Sequence, residues 1–234
     1  MSTNKQTTMK TLTKEMQAAL TPTMAVELLK EGNKRFIGNL KVNRNLLQQV
    51  NETCDGQHPF AIVLSCIDSR TSAELIFDQG LGDIFSARIA GNVLNEDILG
   101  SMEFACKVAG AKVVVVLGHT RCGAIKGACD DVKLGNLTTL LKKIEPAINA
   151  ETSTTVDRNA SNPEFVERVA ELNVHLTMER VLNESPVLKA MVDNNEIAVV
   201  GGLYNVESGE VEFFEQDRAS TLNSNNSETS IVAS

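Results

Sequence analysis

The sequence predicts an α/β fold, with a mostly parallel central β-sheet flanked by helices and an N-terminal helical arm. Three observations carry this expectation. Residues 60–65 and 112–118 are apolar nearly throughout rather than alternating, as strands covered on both faces are. Amphipathic stretches of helical length separate them from further strand candidates. The first 50 residues carry helical patterns without a strand.

Taken in order, Met9, Leu12, Met16 and Leu20 lie three or four apart and form one apolar stripe, broken at Thr21-Pro22. A second helix places Ala25, Leu28, Leu29 and Phe36 on one side and Lys30, Glu31 and Lys34 on the other. Neither helix has a sheet of its own, so both must bury their stripes on the domain or on a second subunit. Strands are expected at 60–65, 84–89, 112–118 and 196–201, with 211–214 pairing back after the Ser208-Gly209 turn. Helical patterns cover 96–109, 136–148, 163–183 and 186–193, and Ser185-Pro186 reads as an N-cap followed by proline at the first helical position. Residues 150–163 are polar and read as a loop. The organisation expected is an arm (1–50), an α/β catalytic domain (51–216) and an Asn/Ser/Thr-rich tail (217–234) too polar to order itself.

Composition narrows the function. The 234 residues are 42% hydrophobic, enough for a substantial core, and the net charge of −8 argues against nucleic acid and anionic membranes, which require a basic face. No apolar run exceeds five residues, far below the roughly 20 of a spanning helix. The N-terminus lacks a signal-like apolar segment and has no arginine before Arg35, so a cytoplasmic location is expected. Five cysteines, an odd number in a chain without an export signal, favour metal or thiol chemistry over disulfides.

The chemistry gathers at two strand ends, where open α/β sheets place their ligands. The first strand runs into Cys66-Ile-Asp68-Ser-Arg70, and the third into His119-Thr-Arg-Cys122-Gly123. Either motif alone is weak: a single cysteine at a strand end is commonly a small buried residue, and His-x-x-Cys occurs by chance. Together, Cys66, His119 and Cys122 supply two thiolates and an imidazole, a set suited to zinc. Three protein ligands leave the fourth tetrahedral position for water, which marks a catalytic site. Two thiolates acidify that water less than three imidazoles would, and an accepting carboxylate compensates. Asp68 is the candidate, with Arg70 on the same side of an extended stretch to pair with it. Cys54, Cys106 and Cys129 lack such neighbours, and Cys106 reads as core. No Cys-x-x-Cys supports a redox function.

Cys66-x-Asp68-x-Arg70 followed by His119-x-x-Cys122-Gly123 resembles the paired signature of β-class carbonic anhydrases. The likeness runs from about Leu28 to Phe214, with Ala25 to Phe36 similar to the family's N-terminal arm. The resemblance implies one Zn2+ per chain and reversible hydration of carbon dioxide to bicarbonate and a proton, by attack of a zinc-bound hydroxide. It implies that Asp68 orients the hydroxide and that Arg70 keeps Asp68 off the metal. Whether Asp68 rests on Arg70 or on zinc stays open. By the same resemblance Gln57 is the substrate-side amide of the plant-like subtype, Phe85, Ala90 and Phe104 line an apolar CO2 pocket, and Gly123 offers its backbone N–H to the bound anion. Without it, Gln57 reads as a solvated loop residue and the three apolar residues as core. Phe104 stands where many relatives carry tyrosine. Arg88 and Tyr204 match two residues of a bicarbonate-inhibition site found in some bacterial relatives. This chain has no tryptophan to complete that site, and Val63 stands in its place. Relatives with the same ligands hydrolyse carbon disulfide or carbonyl sulfide, and a non-catalytic zinc scaffold is a further alternative, disfavoured by Asp68, Arg70 and Gln57. The family also implies a homodimer or higher even oligomer, with sites at the subunit boundary and the arm wrapping its neighbour.

Overall fold

The computed structural model describes residues 11–214. The expected tail at 217–234 and Met9 of the first apolar stripe lie outside the described residues. The sheet forms where the apolar runs predict it: β1 (Ala61–Ser65), β2 (Ile84–Arg88), β3 (Val113–His119), β4 (Ala198–Tyr204) and β5 (Val211–Phe214), in the order β2-β1-β3-β4-β5. The first four pair in parallel, and β5 closes the edge antiparallel to β4. The chain therefore leaves β1 toward β2 on one side, then crosses to β3 on the other. The β1–β3 boundary is the switch point, where a crevice opens beyond the strand ends.

Every residue of β1 and β3 is buried, which explains their unbroken apolar character. Ile62, Leu64, Val114 and Val116 face one side, against helices α5 (Glu96–Glu103), α9 (Pro163–Glu184) and α10 (Pro186–Asp193). Ala61, Val63, Val113 and Val115 face the other, against α2 (Pro22–Ile37) and the short α4 (Ala73–Ile76). A third apolar cluster lies past the strand ends and joins Cys66 and Cys122 to Ile125, Ile144, Phe165 and Val169.

Several boundaries differ from expectation for local reasons. The helix expected over 136–148 is two, α7 (Gly135–Leu141) and α8 (Glu145–Ala150), because Pro146 has no N–H to continue the first and suits the opening turn of the second. The 96–109 helix is α-helical only to Glu103. A π-helical turn over Phe104–Val108 follows, with Ala109 N–H donating to the Phe104 carbonyl. Strand β4 runs on through Gly201-Gly202 to Tyr204. A Cβ on Gly201 would sit 2.5 Å from Met178 Sδ, so the glycine lets α9 lie close against the sheet. Helix α3 (Leu46–Glu52) carries no legible stripe, since it buries Gln49 and leaves Leu46, Leu47 and Val50 exposed.

The arm helices seat on the chain's own domain. Gln17 of α1 (Lys14–Ala19) donates to the carbonyls of Pro59 and Ala109, and Asn33 of α2 donates to those of Ile76 and Gly209. A Cβ on Gly32 would land on the Phe77 carbonyl, so α2 comes within backbone contact of the α4 segment. Asp78 fastens the stretch after α2, bonding Arg35 at 2.6 Å, Arg44 at 2.5 Å and the Val42 N–H at 3.2 Å. Among the described residues no helix is long and apolar enough to cross a membrane.

Burial opposes ionisation of Asp78, but the bonds from Arg35, Arg44 and Val42 outweigh it and hold the carboxyl below its ordinary value. The ionised form therefore stabilises the fold fully above the unfolded pKa near 4, and that contribution is lost as pH falls through the lower folded value. Asp78→Asn should cost about 3 kcal/mol at pH 7, since it strands the buried Arg44. The deficit against wild type should shrink below about pH 4. Urea unfolding at both pH values measures this.

Candidate metal centre

The parallel register sets Ser65 opposite Leu117, so Cys66, the next residue after β1, comes beside the end of β3, which closes with His119. Three residues later Cys122 is the N-cap of α6 (Gly123–Cys129). The donor atoms of Cys66, His119 and Cys122 lie within 4.8 Å of one another, and all three residues are buried. The two sulfurs are 3.9 Å apart, too far for a disulfide. Two thiolates at the zinc–sulfur distance on a tetrahedral ion would stand about 3.8 Å apart. The imidazole is equally prepared. Its Nδ1–H donates to the Thr120 carbonyl at 2.9 Å, which makes Nε2 the lone-pair nitrogen, and Nε2 is buried without a hydrogen-bond partner. Thr120 is held in turn by its N–H to the Tyr204 carbonyl and by its hydroxyl, which accepts from the Val206 N–H. The donor set fits zinc.

The sulfurs carry uneven proton affinities. The hydrogen bond from Cys122, reinforced by the Gly91 N–H against a burial penalty, pulls the Cys66 thiol down to about 4. The bond to Cys66 and burial push Cys122 up. The pair favours one thiolate over two, and a cation between the sulfurs would make loss of the second proton favourable. Cys106, buried among apolar side chains, is pushed up to about 12 by burial, as a core thiol should be.

Asp68 stands beside this cluster without joining it. Its Oδ1 accepts from the Arg70 backbone N–H at 3.0 Å and Nε at 2.9 Å, and its Oδ2 accepts from the guanidinium at 2.8 Å. The Arg70 guanidinium holds the Asp68 carboxyl well below the usual carboxylate range, so it is an anion near neutral pH. In this structure Asp68 rests on Arg70. Tyr204 lies in the field of both, with burial raising its hydroxyl pKa.

The other expected residues divide. Ala90 opens the tight 3₁₀ turn (Ala90–Asn92) whose Gly91 N–H donates to Cys66 Sγ at 3.3 Å, so it lies at the centre. Gly123 is the first residue of α6, with open space where a Cβ would be and a backbone N–H that the helix's own ladder does not claim. Phe85 and Phe104 meet edge to face at 6.3 Å in a groove at the β2 edge. That groove shares no lining residue with the Cys–His–Cys cluster. Phe104 is 55% exposed, so it is not the core residue that its apolar character suggests. Gln57 is exposed and precedes β1, while Cys66 follows it. Five residues of strand put roughly 17 Å between them, so Gln57 does not approach the metal donors of its own chain.

Sequence reasoning missed the residues that brace the donors. Gly91 has φ +67°, and its carbonyl accepts from the buried Asn173 at 2.9 Å. Thr71 donates its hydroxyl to the carbonyls of Cys66 and Asp68. These act through backbone atoms, and only the glycine, placed just past a strand, left a signal that could have been read.

Residues 61–211 match the family model described as carbonic anhydrase. The chain belongs to the β-class carbonic anhydrase family. A carbonic anhydrase 2 of Mycobacterium tuberculosis is 32% identical over 196 residues, covering 80% of this chain and 90% of that protein. A carbonic anhydrase of Mycolicibacterium smegmatis is 32% identical over 198 residues, with coverage of 82% and 92%. A crystal structure of a β-carbonic anhydrase of Aspergillus fumigatus superposes with a TM-score of 0.66 at 27% identity, covering 86% of this chain and 95% of the other. This carbonic anhydrase sheet therefore carries the family's fold across nearly the whole described chain.

Replacing Gly91 tests the sulfur's support. An alanine there would be strained at its positive φ and would bring its Cβ within 2.9 Å of Ile144 Cδ1, displacing the N–H from Cys66. Gly91→Ala should weaken zinc binding about tenfold in competition with a chromophoric chelator. Unchanged affinity would show that this N–H contributes nothing to the thiolate.

Proposed function

We propose that this chain catalyses the reversible hydration of carbon dioxide to bicarbonate and a proton at one zinc ion held by Cys66, His119 and Cys122. What supports the reading is the placement of an anionic Asp68 beside three convergent buried donors, held off them by Arg70. Zinc in such a site supplies the Lewis acidity that makes water a competent nucleophile near neutral pH.

The chain's own residues supply the rest. Asp68, kept ionised by Arg70, accepts a hydrogen bond from the attacking water species and turns its lone pair toward the carbon. Arg70 keeps Asp68 from competing for the fourth coordination position. The Gly123 N–H at the start of α6 offers a donor to the developing bicarbonate. Ala90 contributes an apolar wall. Gln57, Phe85 and Phe104 serve the site from across a subunit boundary, which is consistent with their distance from the donors of their own chain. A homodimer or higher even assembly follows from that assignment. It also suits the exposed apolar side chains of α3 and the groove at Phe104. A solved relative from Sordaria macrospora is described as a tetrameric β-carbonic anhydrase. We place the enzyme in the cytoplasm, with residues 1–50 as the arm of a catalytic domain spanning 51–216.

Stopped-flow CO2 hydration by the zinc-loaded chain is the test. Asp68→Asn should keep one zinc per chain and lose at least roughly 100-fold in kcat. Full activity with full zinc would refute the role given to Asp68. Turnover of CO2 should exceed that of carbon disulfide and carbonyl sulfide, and the reverse order would assign the site to the sulfur substrates.

Hydration should also lack steep inhibition by bicarbonate and follow a simple rather than sigmoidal pH profile. Val63 stands where a regulatory tryptophan would be, so strong bicarbonate inhibition would contradict this expectation.

A further inference from the structure

Arg88, at the end of the edge strand β2, would ordinarily be a solvated surface arginine. Here its guanidinium turns back over the segment that carries the first metal donor. Nε donates to the Cys66 carbonyl at 3.0 Å, and one terminal nitrogen donates to the Asp68 carbonyl at 2.5 Å and the Thr71 hydroxyl at 3.4 Å. Thr71 completes the cage. Its hydroxyl donates to the carbonyls of Cys66 (3.0 Å) and Asp68 (2.9 Å), and its N–H donates to Asp68 at 3.0 Å. The Cys66 carbonyl thus accepts two bonds and the Asp68 carbonyl three.

The fork shape matters. Two carbonyls two residues apart are spanned by a planar group with fixed donor directions, which a lysine ammonium cannot reproduce. The segment has no regular secondary structure between β1 and α4, so no ladder holds it. Its conformation decides where Cys66 Sγ points and where the Asp68 carboxylate stands.

We propose that Arg88 is a positioning residue of the metal centre: it locks the Cys66–Thr71 turn through backbone carbonyls and thereby aims both the Cys66 thiolate and the Asp68–Arg70 pair. It touches neither substrate nor metal. The proposal rests on the zinc site described above, and it differs from a role for Arg88 as an anion-binding group, because Nε and one terminal nitrogen are engaged by the Cys66 and Asp68 carbonyls and the Thr71 hydroxyl.

The test uses the zinc-loaded full-length chain and its Co(II)-substituted form, with Arg88→Met, Arg88→Lys and Thr71→Val. Removing a group that orients a metal ligand costs about 10–100-fold in affinity or activity. Arg88→Met should therefore lower kcat and speed zinc loss to a chelator by about that factor, with KM within twofold and the visible Co(II) bands shifted. Arg88→Lys should fall between Met and wild type. Thr71→Val should show the same pattern, and the double variant should lose less than the product of the two single losses, because both residues hold the same carbonyls. If Arg88→Met does not fold, Arg88→Lys and Thr71→Val carry the test alone. Wild-type kcat, zinc retention and Co(II) bands in these variants, with or without a lowered melting temperature, would overturn the proposal. A rise in KM at unchanged kcat would overturn it too, by placing Arg88 on the substrate. A wild-type chain that binds no zinc overturns the site as well, whereas zinc indifferent to Arg88 overturns this inference alone.

Discussion

The parallel pairing of β1 with β3 is the constraint on which the site depends, because no local segment of the chain contains it. Cys66 and His119 are 53 positions apart, and only the register Ala61↔Val113 through Ser65↔Leu117 brings their strand ends level. A slip of one residue would turn every side chain of β1 to the opposite face. The register is secured by burial on both sides: Ile62 and Leu64 sit in one apolar cluster, and Ala61 and Val63 in the other. The core and the metal centre are therefore set by the same pairing, and stability of the sheet is a precondition of the chemistry.

Around that pairing the structure braces two of the three donors, and the turn that carries the first, through main-chain atoms. The imidazole is oriented by a carbonyl, the Cys66 sulfur by an amide, and the Cys66–Thr71 turn by a guanidinium acting on carbonyls. Asp68 differs in being gripped chiefly by a side chain that is half exposed, with one further bond from the Arg70 N–H. That asymmetry suits a centre in which the donors stay fixed while one carboxylate stays adjustable. The buried donors sit in an apolar cluster with Ile125, Ile144 and Phe165, which keeps water away from the sulfurs on the inner side.

The legible part of the fold was the part governed by burial. Strands β1 and β3 announce themselves because both faces are covered, and α9 is bounded by Asn162-Pro163 at one end and Ser185 at the other. Less legible was anything set by a neighbour. The upper half of β4 hides behind Gly201-Gly202, the first giving room to α9 and the second facing Val211 and the Glu212 carbonyl of β5. Helix α3 hides because its buried residue is Gln49, which accepts from the Leu81 N–H. Helices α4 and α6 have too few turns to show a period. The donors and the Asp68–Arg70 pair were readable because their spacing is short and chemically distinctive. Gln57 shows the opposite case, since its nearness in sequence to Cys66 spans a whole strand and leaves the two at opposite ends of β1.

X-ray absorption at the zinc edge of the purified chain addresses the central claim most directly. The account predicts one zinc per chain with two sulfurs at about 2.3 Å and two lighter ligands at about 2.0–2.1 Å. A chain that takes up no zinc, or a zinc surrounded by three or four sulfurs, would contradict it.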